Sequence, residues 1–116
     1  MANLNNYILI NNLNVSTISG TYTRELLDLT INRVEVQIDW SGLTGTLDAN
    51  IQIQQRMAIG MNYTCVDVES LLKIMDTSSG SFTFLMYQWT AQAMNILINK
   101  NGCTGGTINV GVGIRR

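Results

Sequence analysis

The chain has 116 residues, of which only 13% are charged, about half the ~25% of typical soluble domains, and its formal net charge is −1. It contains no histidine, which excludes a Ser-His-Asp triad, an imidazole general base and a histidine-ligated metal. Lys and Arg form no cluster beyond Arg115 and Arg116, and the longest apolar run near the N-terminus is YILI. We therefore expect no nucleic acid partner, no membrane partner and no signal peptide.

The first third of the sequence is its least regular part. Residues 7–15 (YILINNLNV) predict one or two strands. Residues 23–31 (TRELLDLTI) fit either a helical turn or a strand with alternating apolar residues. We favour the strand because the threonines in and beside this stretch are β-branched.

The clearest alternation lies in the middle of the chain, where residues 34–40 (VEVQIDW) direct Val, Val, Ile and Trp to one side. After the turn 41–45 (SGLTG), residues 47–54 (LDANIQIQ) repeat the pattern. Their inward row is Leu47, Ala49, Ile51 and Ile53, and their outward row is Asp48, Asn50, Gln52 and Gln54. Two alternating runs joined by a short glycine-containing loop predict an antiparallel hairpin.

Shorter alternating runs occupy the second half, at residues 66–69, 82–86, 94–98 and 107–114. In the last run Gly111 and Gly113 fall on the outward side, which predicts that something packs closely there or that the strand bends. About eight strands with turn signals between them predict an all-β, single-domain antiparallel β-sandwich of the jelly-roll kind.

Candidate catalytic groups are few. Asp67 and Glu69 share a strand face, and Asp39 and Asp48 flank the central turn, but such spacing is common on solvated strands. The loop 76–80 (DTSSG) is typical of a turn rather than of a calcium site, and no nucleotide-binding motif occurs. We therefore predict no enzyme, no catalytic residue, no cofactor and no metal.

Cys65 and Cys103 are too few for a zinc site of four thiolates, and the sequence leaves open whether they pair. Trp40 shares the parity of the inward valines, so we expect it in the core.

Tyr63 and Trp89 are the candidate residues for contact with a partner or a glycan. Tyr63 lies in an irregular stretch, and Trp89 follows the aromatic run that begins at residue 82. Exposed flat rings bind sugars in many β-sandwiches, and Trp and Tyr also anchor protein contacts. We expect most of the methionines to fill the core, but Met57 and Met61 flank a loop and could meet a partner.

Three motifs in order resemble the small β-sandwich virion proteins of tailed and related bacteriophages, which decorate capsids or build tail and fibre parts. The motifs are the strand ending in Trp40 with its turn 41–47 and the strand 51–54, the turn 79–81 before an aromatic strand, and the turn 104–107 before the last strand. The resemblance covers residues 24–116 as the sandwich domain. It leaves residues 1–23 as an N-terminal strand or arm, which could add a strand to a neighbouring subunit.

The resemblance implies a non-enzymatic structural protein of a phage virion, assembling with itself and with capsid or tail proteins as a decoration, cement or fibre component. The low charge agrees with this role, because closely packed copies then avoid like-charge repulsion. The chain departs from the pattern at residues 55–63, where such proteins often have an Asp-Gly pair and a Trp, and a more apolar contact is implied. The alternative function is a carbohydrate-binding or receptor-binding β-sandwich module.

Overall fold

The structure is a computed structural model, and it describes residues 4–26, 33–65, 73–87 and 91–115. Within these ranges most residues lie in strands, and one turn of 3-10 helix at Val15–Thr17 follows the first strand. The strands are β1 (Leu4–Asn14), β2 (Thr21–Leu26), β3 (Arg33–Gly45), β4 (Ala49–Arg56), β5 (Thr64–Cys65), β6 (Lys73–Met75), β7 (Gly80–Tyr87), β8 (Ala93–Asn99) and β9 (Cys103–Arg115).

The strands form two antiparallel sheets that share one nested pairing scheme. Sheet A has the order β1-β9-β3-β7, and sheet B has the order β2-β8-β4-β5, with β6 on the same edge of β4 as β5. The first strand therefore pairs with the last, β2 with β8, β3 with β7, and β4 with β5 and β6. One long hairpin folded across two sheets in this way is a jelly roll, which confirms the predicted all-β antiparallel sandwich.

The N-terminal part of the chain supplies one strand to each sheet. β1 pairs with β9, and register shifts interrupt this pairing between Ile8 and Ile10 and again between Ile10 and Leu13. Asn12, at the second irregularity, has a φ of 53°, and its backbone N–H donates to Asn109 Oδ1 at 2.7 Å. β2 pairs with β8 over its whole length. The described part of the segment expected as a strand or an arm thus lies in the chain's own two sheets.

The predicted hairpin between residues 34–40 and 47–54 is wrong. β3 pairs with β7 and β9 in sheet A, whereas β4 pairs with β5, β6 and β8 in sheet B. The chain crosses between the sheets through the positive φ angles of Gly45 (95°) and Leu47 (56°). The apolar rows of both strands face the same core from opposite sheets, so their alternation is the same as in a hairpin and does not distinguish the two arrangements.

Alternation predicted the core correctly along β3, β4, β8 and β9. The predicted inward residues that the structure buries are Val34, Val36, Ile38, Trp40, Ala49, Ile51, Ile53, Met94, Ile96, Ile98, Ile108, Val110, Val112 and Ile114. Leu47 is half-buried and packs against this cluster from the crossing. The apolar residues at 27–31 and the predicted strand at 66–69 lie outside the described residues.

Trp40 lies in the core, as predicted, and its polar atom is satisfied there. Its indole N–H donates to the Thr77 carbonyl at 3.0 Å. The ring lies against Gly80, the residue that pairs with Trp40 on β7, and a Cβ on Gly80 would come within 2.6 Å of the ring. This pairing explains why the aromatic strand opens with a glycine.

The crossing between β3 and β4 is held by the loop that joins β8 to β9. Asp48 Oδ1 accepts hydrogen bonds from the Thr46 hydroxyl at 2.7 Å and from the Gly102 N–H at 2.8 Å. Asn101 Nδ2 donates to the Asp48 carbonyl at 2.7 Å. The hydrogen bonds from Thr46 and Gly102 lower the pKa of Asp48 below its usual 3.8. Asp48 is therefore a structural acceptor of the crossing.

Candidate interaction surface

The outer face of sheet A carries a groove of about 570 Å³ along β9. Gly111 and Gly113 form its floor, because the residues that alternate with them face the core. Side chains of β1 and β3 form its walls, since β9 lies between those strands. The wall and end residues are Asn6, Ile8, Glu35, Gln37, Asp39 and Asn109. The glycines that predicted close packing or a bend thus form the floor of an open groove.

Asp39 is a fixed hydrogen-bond acceptor in this groove. Ser81 Oγ donates to Asp39 Oδ1 at 2.7 Å, and Gln37 Nε2 donates to both carboxylate oxygens at 3.1 and 3.2 Å. These bonds, the one from Ser81 first, lower the pKa of Asp39 below its usual 3.8. Glu35 lies four positions away on the same strand, about 13 Å, and glycoside hydrolases separate their two carboxyl groups by about 5 to 9.5 Å. The groove is suited to hydrogen bonding rather than to paired acid-base chemistry.

The outer face of sheet B carries a row of neutral amides, here called the amide ladder. Asn99 Nδ2 donates to Asn50 Oδ1 at 2.9 Å, and Asn95 Nδ2 donates to Gln54 Oε1 at 2.9 Å. Gln54 Nε2 in turn donates to Gln52 Oε1 at 3.0 Å. These bonds satisfy only part of each amide, so a protein surface that covers the row must offer hydrogen bonds to the remaining N–H and C=O groups.

A charged cluster lies at one end of the amide ladder. Arg56 Nη2 lies 3.3 Å from Glu25 Oε2, and the Tyr63 hydroxyl donates to the same oxygen at 2.5 Å. The Arg56 guanidinium also lies over the Tyr63 ring, 4.8 Å from its centroid. Glu25 is on β2 and Arg56 is on β4, so their ion pair spans β8 near Asn95, which is only 5% exposed. The cluster therefore joins β2 to β4 across β8, at the point where the loop after β4 begins.

This cluster makes the titration of Tyr63 a test of the structure. Burial first, and then the Glu25 carboxylate, raise the pKa of Tyr63 from 10.0 to about 12. Because the pKa of Tyr63 is higher in the folded than in the unfolded protein, the protonated tyrosine stabilises the fold. This stabilisation is fully present below pH 10 and is lost as the pH rises through about 12.

We expect Glu25→Gln to lower the pKa of Tyr63, because the substitution removes a charge that opposes ionisation. The absorbance of the phenolate is followed against pH for each protein and for the same protein with Tyr63→Phe. Subtracting the second curve from the first leaves the titration of Tyr63, which gives its pKa. An unchanged difference titration after Glu25→Gln would contradict the contact between the two residues.

An apolar turn, residues 57–61, projects beyond the charged cluster between β4 and β5. Met57, Ile59 and Met61 are 52%, 57% and 55% exposed. The Met61 N–H donates to the Ala58 carbonyl at 3.1 Å, and Gly60 has a φ of 98°, as the third residue of a type II turn requires. The apolar side chains are therefore presented on an ordered turn.

Gln92 holds the apolar turn in place. Its backbone N–H donates to the Met57 carbonyl at 3.3 Å, and its side-chain Oε1 accepts from the Ile59 N–H at 2.8 Å. Apolar side chains on a turn fixed in this way lose less conformational entropy when a partner covers them. This geometry supports the expectation that Met57 and Met61 meet a partner.

The residues singled out from the sequence do not gather into one site. Tyr63 is half-buried at the base of the apolar turn, and Trp89 lies outside the described residues. Asp39 faces outward on sheet A, whereas Asp48 lies in the crossing between the sheets. The other carboxylate pair, at residues 67 and 69, is also outside the described ranges.

Cys65 is exposed on β5 and Cys103 is buried on β9, and both thiols are free. Within the described ranges, no three Cys, Asp or Glu side chains lie close enough together to hold a metal ion. None of the helical structure described is long and apolar enough to cross a membrane.

The sequence matches no protein-family model and no curated protein. Its fold is shared. The VP2 subviral particle of infectious bursal disease virus is 10% identical, with a TM-score of 0.58 over 98% of this chain and 32% of that chain. The SPBc2 prophage-derived protein YomS is 10% identical, with a TM-score of 0.61 over 100% of this chain and 96% of that one.

A protein of the disulfide-linked pili of Bacillus endospore appendages is 13% identical, with a TM-score of 0.52 over 98% of this chain and 86% of that chain. The chain therefore spans about a third of the length of the VP2 chain and nearly the full length of YomS. At these identities the likenesses show the fold alone.

Sequence reasoning missed Glu25, Arg56 and Gln92. Glu25 and Arg56 are 31 positions apart, and only the order β2-β8-β4 brings them together. Gln92 lies 33 positions from the N–H that it accepts. The apolar loop beside Arg56 was the one local signal, because it departs from the polar composition of the other turns.

Proposed function

We propose that this chain is a non-enzymatic structural protein of a bacteriophage particle. It assembles with copies of itself and with a capsid or tail protein, as a decoration, cement or fibre component. The fold supports a role in a virus particle, because the VP2 subviral particle and a prophage-derived protein share it. The order of motifs at residues 40–54, 79–81 and 104–107 supports a phage protein in particular.

The observation that carries the proposal is the apolar turn at residues 57–61. Its three large side chains are each more than half exposed. Two hydrogen bonds with Gln92 hold the backbone of the turn in place. Exposed apolar groups held in one conformation are typical of contact sites for other proteins. The uncharged amide ladder beside the turn extends the surface that a partner can cover.

Each such contact is small compared with the ~1,200 Å² that a stable isolated interface buries. Repetition on a symmetric particle makes many weak contacts collectively strong. The charge content of 13% suits this mechanism, because crowded copies repel one another little.

Mass spectrometry of virus particles purified from the organism that encodes the chain tests the proposal. The chain is expected in the particles at a copy number comparable to that of a capsid or tail protein, and immunogold labelling should place it on their surface. As a control, abundant host proteins should be depleted in the same preparation, which shows that the chain is not carried along as a contaminant. Absence of the chain from particles of full infectivity would contradict the virion role.

The groove on sheet A favours carbohydrate binding as a second candidate function. Its glycine floor and its walls of amide and carboxylate side chains offer hydrogen bonds to a neutral polyol. A glycan array probes this function, with Gln37→Ala as the groove variant and Gln52→Ala, on the other sheet, as its matched control. Binding that only Gln37→Ala abolishes would support the candidate, and an array without any hit would remove it.

A further inference from the structure

In the described part of the chain the two sheets have four edges, which are β1 and β7 in sheet A, and β2 and the pair β5 and β6 in sheet B. An edge strand exposes backbone N–H and C=O groups along its open side, where a further strand can pair. Natural sheets protect their edges with bulges, charged side chains or very short strands.

Three of the described edges carry such protection. The pairing of β1 is broken by two register shifts around Ile10. β2 carries the exposed charges Arg24 and Glu25 within its six residues. β5 and β6 have only two and three residues.

β7 lacks each of these devices. Its eight residues, GSFTFLMY, include no charged residue and no proline. Its pairing with β3 runs from Arg33 opposite Tyr87 to Trp40 opposite Gly80 without a register shift. Among the described strands β7 has a neighbour on one side only. A long, regular and uncharged edge of this kind is a template for another strand.

We propose that β7 is the edge through which two copies of this chain join, pairing antiparallel about a two-fold axis perpendicular to sheet A. This inference rests on the proposed self-assembly and names the surface that performs it. A second copy fits because an uncharged strand meets itself without like-charge repulsion. The perpendicular axis keeps both cores on the same side of the joined sheet, so each copy remains a complete sandwich.

We place the axis at the middle of β7, where the two strands pair over the greatest length, and this position sets which residues meet. Thr83 is exposed on the outer face near the middle of β7. Because paired residues on adjacent strands share a face, the Thr83 of one copy lies directly opposite the Thr83 of the other or one diagonal position away. The two outer faces of sheet A, each with its groove, then form one continuous surface.

Charge substitution at this position tests the pairing by sedimentation velocity over a range of concentrations. We expect Thr83→Lys to weaken self-association about tenfold or more, because like charges then meet across the axis. Thr83→Glu alone should do the same, and an equimolar mixture of the two variants should restore association. The matched control is Ser19→Lys, at an exposed serine in the bend before β2, which should associate like the wild type.

Hydrogen exchange of the unmodified protein provides a second test. Amides of β7 should exchange more slowly at high than at low protein concentration, while those of β2 stay unchanged. Wild-type assembly that persists in Thr83→Lys, or β7 amides that do not respond to concentration, would overturn this inference and leave the proposed function standing. A wild-type protein that never associates would overturn both.

Discussion

Gly45→Ala is expected to lower the free energy of unfolding by about 3 kcal/mol or more, which for a domain of this size is a large part of its stability. Gly45 has a φ of 95°, which side chains rarely adopt, and its added Cβ would come within 2.3 Å of the Gly102 carbonyl oxygen. That oxygen also accepts the Thr46 N–H at 3.3 Å, so the loop cannot move away without losing the bond that holds the crossing.

Gly42→Ala is the matched control for this prediction. Gly42 also has a positive φ, of 66°, but nothing lies within 4 Å of an added Cβ. Gly42→Ala should lower the free energy of unfolding by only about 1 kcal/mol, which is the cost of placing an alanine at a positive φ without a steric clash. Urea denaturation followed by tryptophan fluorescence measures both values. Equal losses for the two variants would show that the crossing is not packed against the β8–β9 loop as described.

Ile51→Ala is expected to cost about 3 kcal/mol, within the ~2–5 kcal/mol of buried isoleucine truncations. Ile51 is fully buried on β4, and it faces sheet A across the core. Its removal leaves a cavity that a close-packed sandwich closes only in part. The comparison is Ile74→Ala on the neighbouring β6, where the side chain is 51% exposed.

Ile74→Ala should change the free energy of unfolding by less than about 1 kcal/mol, because half of its surface already contacts water. The same substitution on adjacent strands therefore compares the buried face of sheet B with its exposed face. A larger loss at Ile74 than at Ile51 would mean that β4 is turned over relative to the described register.

The core was predictable because burial in a sheet depends on a local period of two. Ile38 and Ile51 are identified as inward by their immediate neighbours alone, and both are fully buried. The sheet to which each strand belongs was not predictable in this way. A hairpin and a crossing place the same residues inside, and the deciding contact, Asp48 with Gly102, joins residues 54 positions apart.

Features of the surface were predictable only where neighbouring residues in the sequence indicate them. Gly111 and Gly113 stood out in the sequence, but the walls of their groove come from β1 and β3, which lie at least 58 positions earlier in the chain. The apolar composition of residues 57–61 was visible, whereas the clamp from Gln92 depends on pairing between distant segments. Nested strand pairing therefore sets both the groove and the apolar turn.

Sedimentation velocity of the unmodified protein, from micromolar to near-millimolar concentration, tests the central claim most directly. The claim is that this jelly roll is built to associate with copies of itself. The account predicts that the mean mass rises with concentration above the 12.9 kDa of one chain. A single 12.9 kDa species at every concentration would contradict it.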